Sequence, residues 1–121
     1  MANTFKVVTF AAEPASAGTP YKMYTCPSST TTVVLGLVLA NIHTTAVTAE
    51  VELVSDTANR GGANNVANGT SFLVKDVTIP TGSSLEILSG SKVVMEATDE
   101  IKIDCSVADK LSGTLSIMEI S

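Results

Sequence analysis

The sequence predicts an all-β domain, and three observations support this prediction. Val, Ile, Leu, Thr and Ser dominate the 121 residues and tryptophan is absent, a composition that favours strands. Apolar residues alternate with polar ones in short segments, and no window keeps a 3.6-residue apolar period. Turn-forming Gly, Pro, Asn and Ser residues separate these segments. The pattern predicts one antiparallel β-sandwich of eight or nine short strands, of jelly-roll or immunoglobulin-like type, over residues 1–121.

The first two predicted strands flank a break in regular structure. Residues 1–10 alternate as a first short strand, and residues 21–26 form a second one. Between them, two prolines and a glycine among small residues predict an irregular loop over 13–20. This segment is therefore expected to be a loop or a flexible arm.

The longest apolar run, residues 31–54, is expected to organise the core. Its first half is apolar at both even and odd positions, as in a strand that is covered on both faces. Its second half alternates apolar and polar residues, as in a strand with one face exposed to water. The parity predicts a hairpin in which Leu39 opposes Ala49 across a turn at 43–45. Gly36 indicates that another group packs close to the outer face of the first strand.

The second half of the chain begins with a predicted loop and a predicted bulge. Asn and Gly residues dominate 56–69, which predicts a long exposed loop. The apolar phase then shifts within 71–79, and a β-bulge at Lys75-Asp76 explains the shift. With this bulge, the side chains on both sides of it would all face the core: Phe72, Val74, Val77 and Ile79. The remaining strands are predicted around 85–87, 93–95, 101–107 and 114–120.

No catalytic, metal or cofactor site is predicted. The only histidine, His43, lies in a tight connection, where a turn or surface contact explains it more simply than a catalytic base. The carboxylates within 96–104 lack the offsets and the glycine of a calcium loop. Cys26 and Cys105 suit no metal spacing, and two buried thiols are favoured over a disulfide or a reactive thiol. We therefore expect a protein that is not an enzyme.

Charge and hydropathy argue against nucleic acid and membranes as partners. Only 16% of the residues are charged and the formal net charge is −5, so attraction to phosphates or anionic lipids is weak. The seven Lys and Arg residues are dispersed. The longest uncharged apolar segment, 33–42, is about half the length of a membrane-spanning helix. No apolar signal-peptide segment follows Lys6, which predicts a protein made and kept in a cytosol.

The apolar surface exceeds what one small sandwich usually hides, which favours a subunit contact. The alternative is that Val34, Val38 and Ile42 face the second sheet, while the odd-numbered residues of this run face a loop or the first strand. If a subunit contact exists, the candidate interface residues are Phe5, Val7, Val34, Gly36, Val38, Ile117 and Ile120.

Short segments spread along the chain carry a family resemblance. They are MANTFK at 1–6, YTCP at 24–27 leading to TTVVLGL at 31–37, LVKD at 73–76 running to IPTGSSL at 79–85, KVVME at 92–96 and MEIS at 118–121. Together they resemble small virion structural proteins of tailed bacteriophages, notably those that infect cyanobacteria. The Gly- and Asn-rich segment 56–69 is not part of this pattern.

The resemblance implies a non-enzymatic part of the virion, assembled in the host cytoplasm. A small β-sandwich most resembles a capsid decoration or cement protein, which braces the shell where major capsid subunits meet. The implied partners are the major capsid protein or other virion subunits, together with copies of the chain itself, with a trimer at local threefold axes as the geometric expectation. In this role an exposed edge strand would extend a neighbouring sheet. The candidates are residues 1–20, as a candidate docking arm, and the last strand at 114–121.

The alternative under the same resemblance is a component of the tail, neck or baseplate, or a receptor-binding tip. In that case the loop at 60–69 would touch a host surface sugar. The aromatic residues that sugar binding usually requires lie outside this loop.

Overall fold

A computed structural model describes residues 2–55, 69–88 and 92–121 of the chain. The described residues contain nine β-strands and no helix. The strands are β1 (Asn3–Glu13), β2 (Tyr21–Thr25), β3 (Thr31–Asn41), β4 (Val47–Ser55), β5 (Gly69–Ile79), β6 (Ser84–Glu86), β7 (Val93–Met95), β8 (Glu100–Cys105) and β9 (Leu111–Ile120). The predicted exposed loop over 56–69 falls outside the described residues except for its last residue.

Two antiparallel sheets form a sandwich. The first has the order β1-β9-β3-β6, with β7 pairing beside β6 along β3, and the second has the order β2-β8-β4-β5. In these sheets β1 pairs with β9, β2 with β8, β3 with β6 and β7, and β4 with β5. Such nested pairing is the pattern of one long hairpin folded onto itself. This is jelly-roll topology. An immunoglobulin sandwich would place its first two strands side by side in one sheet, whereas β1 and β2 lie in different sheets.

One hydrophobic core fills the space between the sheets. Both sheets contribute side chains with no more than 2% of their surface exposed, and burying each of these contributes roughly 1.5–3 kcal/mol. They include Leu37, Leu39, Leu115 and Ile117 from the first sheet and Val47, Val51, Ile101 and Ile103 from the second. Cys26 and Cys105 are buried free thiols, as predicted.

The predicted hairpin between β3 and β4 is wrong. β3 pairs with β9, whereas β4 pairs with β8 and β5, so Leu39 and Ala49 reach the core from opposite sheets. The buried Asn41 holds this crossing connection. Its amide donates to the carbonyls of Thr45 (3.0 Å) and Ile79 (2.9 Å), and its side-chain oxygen accepts the His43 N–H (2.7 Å). Side-chain parity does not distinguish the two arrangements, because the apolar faces of two strands are buried as completely when they face each other across a sandwich as when they lie side by side in one sheet.

β3 also contains a bulge that the sequence pattern did not indicate. Val34 opposes Ile117 and Gly36 opposes Ser116, so Leu35 is the extra residue. Val34 faces the core before the bulge, and Leu37 faces it afterwards. The apolar run is therefore apolar at both even and odd positions partly because the positions that face the core change from even to odd at the bulge.

The bulge predicted at Lys75-Asp76 in β5 is confirmed. The register moves there from the Ala49–Val77 pair to the Val51–Val74 pair, and Asp76 has a φ of 52°. A second shift follows directly and leaves Phe72 46% exposed. The expectation that Phe72 returns to the core is therefore wrong.

Candidate interaction surfaces

The outer side of the second sheet carries many charges. Along β4 and β8 the register places Glu50 beside Asp104 and Glu52 beside Lys102, on the side opposite the core. Lys75 pairs with Glu50 at 2.8 Å, and the neighbouring strand contributes a further ion pair between Lys22 and Glu100 at 3.0 Å. We call this outer side of β2-β8-β4-β5 the charged face. Such a surface favours contact with water.

The outer side of the first sheet is different and contains a row of apolar side chains. Phe5 lies beside Met118, Met118 beside Val33, and Val33 beside Val94, so the row crosses four strands. At the usual strand spacing it is about 14 Å long. Phe5 is 71% exposed and Val94 57% exposed. The outward positions of β1, β9 and β3, all of which the structure describes, carry no charged side chain.

We call this outer side of β1-β9-β3 together with β7 the apolar face. The strands β1, β9 and β3, of about ten residues each, and the three residues of β7 together cover roughly 500 Å² in projection. This whole face, which includes uncharged polar side chains such as Thr114 and Ser116 as well as the apolar row, reaches the roughly 500 Å² per partner that corresponds to the smallest specific protein interfaces. Glu86 on β6, beside Val38, lies at its rim. The face is large enough to be a specific interface.

Five of the seven candidate interface residues lie on the apolar face. Phe5, Val7, Gly36, Val38 and Ile120 share the outward side of the sheet with Met118. Val34 and Ile117 do not belong there, because both are fully buried on the inward side. The bulge at Leu35 explains the error at Val34, since it exchanges the inward and outward parities of β3.

Sequence reasoning missed Met118, Val33 and Val94 as members of this surface. The alternation of β9, with Leu115 and Ile117 inward, was sufficient to place Met118 outward. Val33 and Val94 required the strand pairing.

The group that approaches Gly36 belongs to the same chain. A Cβ at this position would lie 3.5 Å from the carbonyl oxygen of Leu88, an ordinary contact distance. The Ile87 N–H donates to the Leu37 carbonyl at 2.8 Å and holds this connection beside the bulge. Part of the outer side of β3 is thus covered within the domain. The alternative that Val38 and Ile42 face the second sheet is nevertheless wrong, because Val38 lies on the outward side and Ile42 is 49% exposed.

The candidate docking arm, residues 1–20, is mostly an edge strand. β1 pairs with β9 in one continuous register from Asn3 to Phe10 and again at Glu13. The segment after it is also held, because the Asp109 N–H donates to the Pro14 carbonyl (2.8 Å) and the Gly18 N–H to Asp104 Oδ1 (3.1 Å). The described part of the arm is integrated into the domain, and its exposed feature is the free side of β1.

A polar network closes one end of the core. Tyr24 donates its hydroxyl proton to Glu119 Oε2 at 2.6 Å and lies 2.8 Å from the Thr32 hydroxyl. Lys6 Nζ donates to Glu119 Oε1 at 2.8 Å, and Cys26 Sγ lies 3.2 Å from Thr32 Oγ1. Each polar side-chain group therefore has a partner although Thr32 is fully buried.

The pKa shifts in this network follow from burial and hydrogen bonding. Burial, followed by the hydrogen bond to Glu119, raises the pKa of Tyr24. Burial also raises the pKa of the Cys26 thiol, which opposes formation of a reactive thiolate. The hydrogen bonds from Lys6 and then Tyr24 lower the pKa of Glu119. The result is an ionised, fully partnered carboxylate that joins the chain ends to β2.

The described residues contain no group of three or more His, Cys, Asp or Glu side chains that could hold a metal ion. His43 lies in the crossing connection after β3, where its carbonyl accepts the Thr81 hydroxyl at 2.6 Å. Within residues 2–55, 69–88 and 92–121, no helix is long and apolar enough to cross a membrane.

Comparison with known proteins identifies no family. No family model matches the chain, and no curated protein matches it. A solved structure from work entitled "Bacillus endospore appendages form a novel family of disulfide-linked pili" aligns with a TM-score of 0.47 at 16% identity. The alignment covers 99% of this chain and 87% of that one. At this level the similarity carries no argument about function.

Proposed function

We propose that this protein is a non-enzymatic structural subunit that docks through its apolar face, as a capsid decoration or cement protein on the shell of a tailed phage. The observation that carries the proposal is the unequal distribution of charge over the two outer faces. One face has a network of ion pairs that includes Lys75 and Glu50. The other has the exposed row that runs from Phe5 to Val94.

The apolar face supplies the binding free energy. Removing a large apolar side chain such as Phe5 or Val94 from water contributes roughly 1.5–3 kcal/mol when burial is complete. No outward charge on β1, β9 or β3 has to lose its hydration in the process. The charged face then points away from the shell and keeps the assembled surface hydrated. A flat, neutral docking face combined with a charged outer face suits a brace laid over a larger surface.

The choice of a phage shell as the partner is supported by the family resemblance at residues 1–6, 79–85 and 118–121. The fold agrees at the level of analogy, because jelly rolls are common in viral capsid proteins, although a shared fold does not by itself establish a function.

The proposal is tested by co-sedimentation of the purified protein with phage shells assembled from the major capsid protein. We expect saturable binding, and we expect Val94→Asp to weaken it at least about tenfold, since a buried unpaired carboxylate costs more than about 1.4 kcal/mol. The matched control is Phe72→Asp, which places the same charge on a half-exposed apolar position of the second sheet. It should leave the affinity within about threefold of wild type.

Equal binding by Val94→Asp and wild type would contradict the assignment of the apolar face. Immunogold labelling of intact particles tests the location separately. Gold over the head supports a decoration role, whereas gold confined to the tail or its tip overturns it in favour of a tail component. Absence of labelling on every particle overturns both placements.

A further inference from the structure

The described sheets have four edges, and only β1 offers a long, regular one. β5 contains two register shifts and Lys75, and β2 has five residues and a shift of its own. β6 and β7 have three residues each. Short strands, bulges and edge lysines are devices that prevent a sheet from pairing with another chain. Between Asn3 and Phe10, β1 contains neither proline nor irregularity. Of these devices it carries only one edge lysine, Lys6, which pairs with Glu119 of the same chain at 2.8 Å.

Backbone geometry identifies which groups of β1 remain free. Ala2 and Ser121 exchange both of their backbone hydrogen bonds, at 3.2 and 3.1 Å, so they form a hydrogen-bonded pair of the antiparallel ladder. Such pairs alternate with pairs that do not exchange bonds. Because the register is unbroken to Phe10, every second residue after Ala2 bonds to β9. The intervening residues direct their N–H and C=O groups to the free edge: Asn3, Phe5, Val7 and Thr9.

These four residues form a pattern that is symmetric about Lys6. In order they are polar, apolar, apolar and polar. We propose that β1 pairs antiparallel with β1 of a second copy about a twofold axis at Lys6. Asn3 then opposes Thr9 of the second copy, and Phe5 opposes Val7, an aromatic and β-branched pair of the favourable kind. In this register all four residues of each copy exchange backbone hydrogen bonds with the second copy. A register shifted by two residues in either direction would pair fewer of the four with one another.

Charge opposes this pairing only at Lys6, because like charges directly opposite each other on neighbouring strands are destabilising. The chain has a net charge of −5, but the only charged residue of β1 between Asn3 and Thr9 is Lys6, and it is held by Glu119 of its own copy at 2.8 Å. The two Lys6 residues meet at the axis, and each arrives with its counter-ion. An isologous contact also closes on itself, because both free β1 edges are used. The product is a dimer with one continuous sheet rather than a growing fibre.

The dimer also extends the proposed docking surface. A twofold axis perpendicular to the sheet leaves both apolar faces on the same side, with Phe5 and Val7 at the centre. The dimer itself does not depend on the proposed shell-binding role, since it rests on the β1 edge alone. It replaces the threefold arrangement expected from the resemblance with a twofold one at this contact.

The first test is sedimentation equilibrium of the full chain, for which the monomer is 12.5 kDa. We expect a monomer–dimer equilibrium for wild type that Val7→Pro shifts at least about tenfold towards monomer. Proline removes the outward N–H of Val7 without removing a ladder bond to β9, and edge strands tolerate it. Val7→Thr keeps the N–H and the β-branched shape, and it should keep dimerisation within about threefold of wild type.

A folded Val7→Pro protein that dimerises like wild type overturns the proposal, as does a wild-type chain that stays monomeric at millimolar concentration. Circular dichroism establishes whether Val7→Pro is folded. If it is not, Phe5→Asp with Phe72→Asp as its control asks the same question through side chains. Only the first of these two variants should dissociate the dimer.

Cross-linking tests the register. Cα atoms of a pair that does not exchange hydrogen bonds lie about 4.5 Å apart, within reach of a disulfide. Lys6→Cys should therefore form a disulfide-linked dimer under mild oxidation. Thr4→Cys should not form this disulfide, because the two cysteines of the dimer would be offset by about 13 Å along the strands. Equal cross-linking of both variants would refute the Lys6 axis. Val94→Asp should leave the dimer intact, which separates this inference from the failure of shell binding.

Discussion

Replacing Tyr24 with phenylalanine tests the polar network that joins the chain ends to β2. The variant keeps the ring and removes the hydroxyl that donates to Glu119 at 2.6 Å. A hydrogen bond to a charged group contributes about 1.5–3 kcal/mol. The partners are not left orphaned, since Glu119 keeps Lys6 and the Thr32 hydroxyl keeps Cys26 Sγ at 3.2 Å. We therefore expect a loss of about 2 kcal/mol in the free energy of unfolding.

Urea denaturation at neutral pH measures this loss directly, and in a domain of this size it corresponds to a Tm decrease of roughly 8 °C. Tyr21→Phe is the matched control, because the Tyr21 ring keeps its edge-on contact with Phe10 at 5.2 Å and its hydroxyl is outside the network. It should change stability by less than about 0.5 kcal/mol. A Tyr24→Phe protein within that same limit of wild type would refute the structural role of the network.

The pH dependence follows from the lowered pKa of Glu119. A carboxylate whose pKa is lower in the folded state stabilises the fold above its unfolded pKa, near its ordinary value of 4.5, and loses this contribution as the pH falls through the folded value. The charged acceptor that Tyr24 uses disappears in the same window. The stability difference between wild type and Tyr24→Phe should therefore be constant above about pH 5 and shrink at lower pH, as measured by urea titrations. A constant difference down to acid unfolding would refute the link to Glu119.

Two further predictions concern packing and buried polar groups. A Cβ added at Gly113 would overlap the ring of Phe10, which is 8% exposed, so Gly113→Ala should destabilise the fold by about 1–3 kcal/mol. Gly69→Ala, with nothing within 4 Å of the added Cβ, should stay within about 0.5 kcal/mol of wild type. Asn41→Ala removes three hydrogen bonds in the crossing connection and should cost about 2–4 kcal/mol, because each abandoned buried group costs about 1–3 kcal/mol. Urea midpoints measure all three variants, and neutral results for Gly113→Ala or Asn41→Ala would contradict the packing and hydrogen bonding described.

The strands were largely predictable because their signal is local. Residues 101–105 alternate apolar and polar side chains, and Ile101, Ile103 and Cys105 are buried as this alternation indicates. The bulge at Lys75-Asp76 was predictable for the same reason, since an extra residue is what changes the apolar parity within one strand. The position of Phe72 was not predictable, because the second shift in β5 depends on its pairing with β4.

The interaction surface was predictable only in part. Phe5 and Val7 were identified from the apolar surplus of the chain, and Phe5 is 71% exposed and Val7 63% exposed. Val34 was assigned to the surface because alternation was extended through Leu35, where the strand bulges. A strand that is apolar at both parities does not reveal where its inward parity changes, and only the pairing partner does.

The amino-acid sequence by itself determined the all-β class, most strand positions and the scarcity of charge. The class and the strand positions depend on side-chain polarity repeating every two residues, which each strand encodes independently of its neighbours. The scarcity of charge is a property of the composition. Tertiary structure decided which strands pair, which sheet collects the charges and which edge stays open. Those properties arise from contacts between distant residues, such as Phe5 with Met118 and Met118 with Val33. Backbone hydrogen bonds join any two strands of suitable length, so only packing of the whole core selects the jelly-roll order, and with it the apolar face and the free edge of β1.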